Sequence, residues 1–153
     1  MKVIYEKEIE AARIVVSPRP VWKCRTCPMY GKTPSCPPHA PPWKETLDWI
    51  RAFERAFIIK FEINMSNFEE EKRGVSTFLL KKEKEFFNEG FPFAFALFPG
   101  NCNICEECEF EKSGNCSDQT RPRPSIDAVG IEIGSFVKID FNENVLYGLV
   151  MID

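Results

Sequence analysis

Residues 58–98 read IIKFEINMSNFEEEKRGVSTFLLKKEKEFFNEGFPFAFALF, and their hydrophobic period changes twice. Ile59, Phe61 and Ile63 alternate with Lys60 and Glu62, the period of two expected of a strand with one covered face. Ser66 followed by Glu69 is a capping-box signature. It opens a long helix whose Phe68, Val75, Leu79 and Phe86 form one apolar stripe, ending at Gly90. Phe91, Phe93, Phe95 and Leu97 then alternate with Ala94 and Ala96, which predicts a strand with a helix packed on its small face. This strand–helix–strand unit sets the fold class as α/β or α+β.

Outward from that unit, Trp43, Leu47, Ile50 and Phe57 recur near the helical period behind Pro42, which predicts a helix from Trp43 to Ala56. Val3–Tyr5 and Ile14–Val16 read as short strands, with helical turns over Glu6–Ala12. Toward the C-terminus, Phe136–Phe141 and Val145–Ile152 flank Asn142-Glu143-Asn144 and predict a β-hairpin. The expected architecture is a single small sheet with two main helices, a C-terminal hairpin and two cysteine-rich loops. A chain of 153 residues, 44% of them apolar, suits one domain spanning 1–153.

Composition narrows the function classes. With 20 Lys and Arg against 23 Asp and Glu the net charge is −3, so general nucleic-acid binding by phosphate contacts is not expected. No apolar run reaches the ~18 residues of a membrane span, and Met1–Ala11 is too charged for a signal peptide. A cytoplasmic protein is expected. Eight of the 12 prolines lie from Pro18 to Pro42, which predicts a stiff irregular loop there.

That loop carries Cys24, Cys27 and Cys36, and the other four of the seven cysteines are Cys102, Cys105, Cys108 and Cys116. A disulfide framework normally has an even count and a secretory signal, and x2 spacing instead brings thiolates within ligating distance of one centre. Cys102-x2-Cys105-x2-Cys108 is the opening of the bacterial ferredoxin pattern, which favours a 4Fe–4S cluster over zinc. Cys116 either closes the fourth corner locally or reaches across to the other site, as in two-cluster ferredoxins. Two all-thiolate sites would need eight cysteines, so one site differs. At Cys24, Cys27 and Cys36 the fourth position is either open, leaving a Lewis-acidic metal, or filled by His39, the only histidine. Whether the two loops meet is left open by periodicity. Lys23, Arg25, Lys32, Arg121 and Arg123 lie near these groups, and cations there favour thiolates and can hold an anion. Ser125 and Asp127 have no neighbouring histidine and make poor triad candidates.

These residues resemble a known pattern. Cys24-Arg-Thr-Cys27-Pro-Met-Tyr30-Gly31-Lys32 followed by Cys36-Pro37-Pro38 is similar to the first motif of an uncharacterised family of predicted metal-binding proteins, common in archaea and anaerobic bacteria. Gly100-Asn-Cys102, the three following cysteines, Arg123-Pro124-Ser125-Ile126-Asp127-Ala128 and Tyr147-Gly148-Leu149-Val150 extend the resemblance over nearly the whole chain. The chain departs from that pattern at Pro34, Ser117 and Gln119. The resemblance implies metal or iron–sulfur binding through all seven cysteines and supplies no reaction.

Three functions are compatible with this reading. An electron carrier would serve a redox partner protein through one 4Fe–4S cluster or two. An enzyme would bind a small-molecule ligand at the open iron of the three-cysteine site. A zinc-stabilised binding module is the third.

Overall fold

The computed structural model describes residues 1–153. In chain order the strands are β1 (Lys2–Glu10), β2 (Val15–Val16), β3 (Arg55–Glu62), β4 (Phe95–Leu97), β5 (Ile131–Glu132) and β6 (Val145–Met151). The helices are α1 (Arg19–Cys24), α2 (Trp43–Arg51), α3 (Phe68–Asn88) and α4 (Glu109–Ser113). The main sheet has the order β1–β3–β6–β4 with every neighbouring pair antiparallel, and β2 pairs with β5 in a second, two-stranded sheet. The fold is thus mixed, of the α+β kind, with two main helices.

Strand alternation divides the core. Ile58, Leu97, Leu149 and Met151 face one side with Ile50 of α2, whereas Ile59, Phe61, Ala96 and Val150 face Val75 and Leu79 of α3. Consecutive residues therefore serve opposite layers, as the period of two demands. Ala96 is the small face on which α3 was expected to sit. Gly148 does the same in β6, because a Cβ there would collide with the Leu79 side chain. Each fully buried side chain of this kind contributes roughly 1.5–3 kcal/mol. Both β3 and β4 lie antiparallel to β6, so they run parallel to each other with β6 between them, and α3 is the crossover.

Several expectations are corrected. The C-terminal hairpin does not form: the chain before β6 has no strand partner role, and β6 inserts between β3 and β4 instead. A central slot buried on both faces offers β6 more apolar contact than the charged, exposed Lys138–Glu143 segment could. The expected helical turns over Glu6–Ala12 are strand as far as Glu10, because pairing with β3 overrides local propensity. The helix from Trp43 stops at Arg51, and the strand predicted over Phe91–Leu97 is reduced to three residues. The capping box is absent. The Ser66 amide and hydroxyl both donate to Asn64 Oδ1, while Glu69 accepts from Asn103 Nδ2 in the second cysteine loop. The proline-rich segment contains one short helix, α1, since Pro20 lies in its first turn where no amide donor is required.

The small sheet positions the site. β2 ends just before the first cysteine group and β5 begins just after the second, so pairing Val15 with Glu132 and Val16 with Ile131 brings the outer ends of both loops together. Ser17 N–H donates to the Gly130 carbonyl at 2.8 Å and continues this seam.

Candidate metal centre

The first cysteine group is wound by successive turns. The Cys27 amide donates to the Cys24 carbonyl and the Tyr30 amide to that of Cys27, each at 3.0 Å. Gly31 then takes φ +73°, a conformation that a side chain disfavours, and its amide donates to the Pro37 carbonyl at 2.9 Å. That reversal returns the chain so that Cys24, Cys27 and Cys36 line one cavity of about 560 Å³. Two sulfurs already have polar partners: the Met29 amide points at Cys27 Sγ (3.4 Å), and the Thr33 hydroxyl lies 3.0 Å from Cys36 Sγ.

The second group surrounds the short helix α4. Burial raises the Cys102 thiol above its ordinary range, the Ile104 amide opposes this, and Cys108, Cys116 and Cys105 each raise it further. Cys116 belongs to this neighbourhood and donates to the Asp118 carbonyl at 3.3 Å. All seven cysteines are free.

The two loops meet. Thr33, from the first loop and almost fully buried, accepts the Cys102 amide at 3.4 Å with the same hydroxyl that contacts Cys36. The Ser125 amide donates to the Ser35 carbonyl (3.1 Å), and Ser35 Oγ donates to the Arg123 carbonyl (2.5 Å). His39 packs edge-on against Phe110 of α4 at 4.8 Å, and Lys32 lies 3.9 Å from Glu111.

His39 is separate from the cavity of the three thiols. Its Nε2 sits 3.0 Å from the Gly31 carbonyl, and its ring lines a different recess together with Cys116. Arg123, expected to hold a cysteine-loop carbonyl or an anion, forms a two-pronged ion pair with Glu83 of α3 and donates to the carbonyls of Thr120 and Pro122. Glu83 also accepts the Ala96 amide, so this partly buried pair ties the second loop to α3 and β4. Ser125 holds a turn, its Oγ accepting from the Ala128 amide at 3.4 Å.

Two residues matter here that the sequence reading did not place. Lys72 is 2% exposed, and its Nζ donates to both Asn101 O (2.7 Å) and Asn101 Oδ1 (2.6 Å). Burial lowers its pKa, opposed by Glu69 and by Cys102, Cys36 and Cys27, so this cation lies within reach of both cysteine groups. The signal was present in the sequence, since Lys72 falls on the helical stripe between Phe68 and Val75. The second is Asp127, which lines the cavity with Cys24, Cys27 and Cys36.

No three His, Cys, Asp or Glu side chains are drawn into a ready-made metal-holding group. The chemistry of the donors nonetheless fits a metal: three thiols and a carboxylate open onto one cavity, and the second loop, in contact with the first, supplies four more thiols. Residues 7–145 match the model of a family described as "Predicted metal-binding protein (DUF2284)". The chain belongs to this family. No curated protein and no solved structure matches it. Membership of DUF2284 agrees with the resemblance carried by the cysteine motifs and supports metal binding in general terms, without specifying the metal. No helix of this DUF2284 member is long and apolar enough to cross a membrane.

Proposed function

We propose that the protein is an iron–sulfur electron carrier. Cys102, Cys105, Cys108 and Cys116 would hold a 4Fe–4S cluster, and Cys24, Cys27 and Cys36 a second metal or cluster. Bound iron–sulfur centres supply one-electron transfer. What supports this reading most is the contact of Thr33 with Cys36 and Cys102, because it makes the two cysteine groups immediate neighbours. The chain's residues would then act on potential and access. Lys72 places a buried cation on Asn101 beside Cys102, the Met29 amide and Thr33 hydroxyl address the sulfurs, and burial of Cys36 limits water. Glu106, Glu107, Glu109 and Glu111 would face a basic redox partner. Seven free thiols suit a reducing cytoplasm.

The test is EPR of anaerobically purified protein reduced with dithionite. An S = 1/2 signal that disappears in C105A/C108A, but survives in C24A, is expected. A colourless protein with no signal overturns the proposal.

One observation favours a second reading, an enzyme acting on a small molecule. The cavity over Cys24, Cys27 and Cys36 is open, with Lys23 on its wall. Its volume of about 560 Å³ suits a small molecule, and Lys23 offers it one cationic contact. A carboxylate or thiol ligand that perturbs the reduced spectrum supports this reading, and unchanged spectra support the carrier.

A further inference from the structure

The three-cysteine site lacks a fourth thiolate, and the chain supplies another donor to its cavity. Between Ser125 and Ile131 every residue is buried except Asp127. Ile126, Ala128, Val129 and Ile131 are locked into the core, and Asp127, the one exposed side chain of the run, is also its one carboxylate on the wall of the cavity lined by Cys24, Cys27 and Cys36. Its backbone is held firmly. The Ile126 amide donates to the Phe98 carbonyl (3.0 Å), the Gly130 amide to the Asp127 carbonyl (3.0 Å), and the Ile131 amide to the Ile126 carbonyl (3.2 Å). Gly130 sits at φ +84°, and a Cβ there would lie 2.5 Å from the Ser17 carbonyl oxygen, so this turn has little room to move.

We infer that Asp127 is the fourth protein ligand of the metal held by Cys24, Cys27 and Cys36. The inference rests on the reading that these three cysteines hold a metal. The carboxylate forms no hydrogen bond or ion pair within the chain, although Arg19 and Lys23 line the same cavity; Arg19 is instead paired with Glu132. The carboxylate has no partner in the chain, and the three thiols beside it ionise on binding a metal, so the set becomes net negative and a cation at its centre balances it. Oxygen is an accepted donor beside thiolates for zinc and iron alike. His39, the donor expected from the sequence, faces the Gly31 carbonyl and the Cys116 recess.

The experiment is anaerobic reconstitution of the full-length protein with ferrous iron and sulfide, comparing wild type with C24A, D127N, D127C and H39Q. Iron per chain and EPR of the oxidised and reduced forms are measured, with circular dichroism as a check on folding. Loss of iron in C24A establishes that the first site is loaded. With that in place, D127N loses about one iron per chain and gains an oxidised three-iron signal. D127C keeps the full iron content with a shifted reduced spectrum, which a purely structural role for Asp127 would not produce, and H39Q matches wild type. D127N with unchanged iron and spectrum overturns the assignment, as does an iron loss confined to H39Q. If C24A retains all the iron of wild type, the reading beneath the assignment fails first, and the ligand role of Asp127 fails with it.

Discussion

The Cys102 amide donates to the Thr33 hydroxyl at 3.4 Å across 69 positions of sequence, and that hydroxyl also lies 3.0 Å from Cys36 Sγ. A single buried oxygen thereby couples the backbone of one cysteine loop to a sulfur of the other. Thr33 stands between the two groups as a shared hydrogen-bonding partner.

Replacing Thr33 by valine keeps the shape and removes the oxygen. The Cys102 amide then loses its partner, at a cost of about 1–3 kcal/mol. Chemical denaturation of T33V should show that loss, and the spectra of both centres should change together. A change at only one of them would mean that the contact does not couple the loops.

Gly130 holds the turn that presents Asp127. In G130A the Cβ meets the Ser17 carbonyl oxygen and Trp43 Cβ, at φ +84°. Crowding and left-handed strain together should cost about 2–4 kcal/mol. Thermal unfolding checks this, with metal content falling first at the Cys24 site.

Burial pushes the Cys24 thiol up to about 11 from an ordinary 9.0, with Asp127, Cys27 and Cys36 adding to the rise. An acid whose folded pKa is raised binds more protons folded than unfolded in that interval. Stability of the metal-free protein should therefore fall as pH rises from 9.0 to about 11. Metal uptake has the opposite sign, because binding must expel this proton: affinity for Zn²⁺ should climb with pH, by about tenfold per unit from this thiol alone. Chelator-competition titrations across neutral pH, comparing wild type with C24S, should show the slope reduced by about one.

Lys72 brings a buried cation close to both groups of sulfurs. Removing it in K72M should lower the reduction potentials of both centres by an amount on the order of tens of millivolts, since positive charge nearby favours the reduced cluster. Redox titration followed by EPR is the check, and an unchanged potential would show that Lys72 serves only to hold Asn101.

Much of this was legible in the sequence. Ile59 and Phe61 alternate with Lys60 and Glu62 because at that end of β3 only the face toward α3 is fully buried, and Phe68 to Asn88 carries a helical stripe because one face of α3 lies on the sheet. The C-terminal hairpin was misread for a physical reason. Alternation reports that β6 is a strand but not which strands flank it, and its partners lie far away in sequence. The site was legible as far as its thiols. Cysteine spacing marks two groups, but their meeting depends on β2 pairing with β5, a two-residue sheet with no periodic signal. Asp127 was visible only as one polar residue in an apolar run, and its direction depends on the turn that Gly130 closes.

The most direct test of the central claim is the count of iron, acid-labile sulfide and zinc in protein purified without oxygen. The iron–sulfur reading predicts at least about four iron and four sulfide per chain, with a brown colour and little zinc. A colourless protein that carries zinc and no sulfide would contradict it.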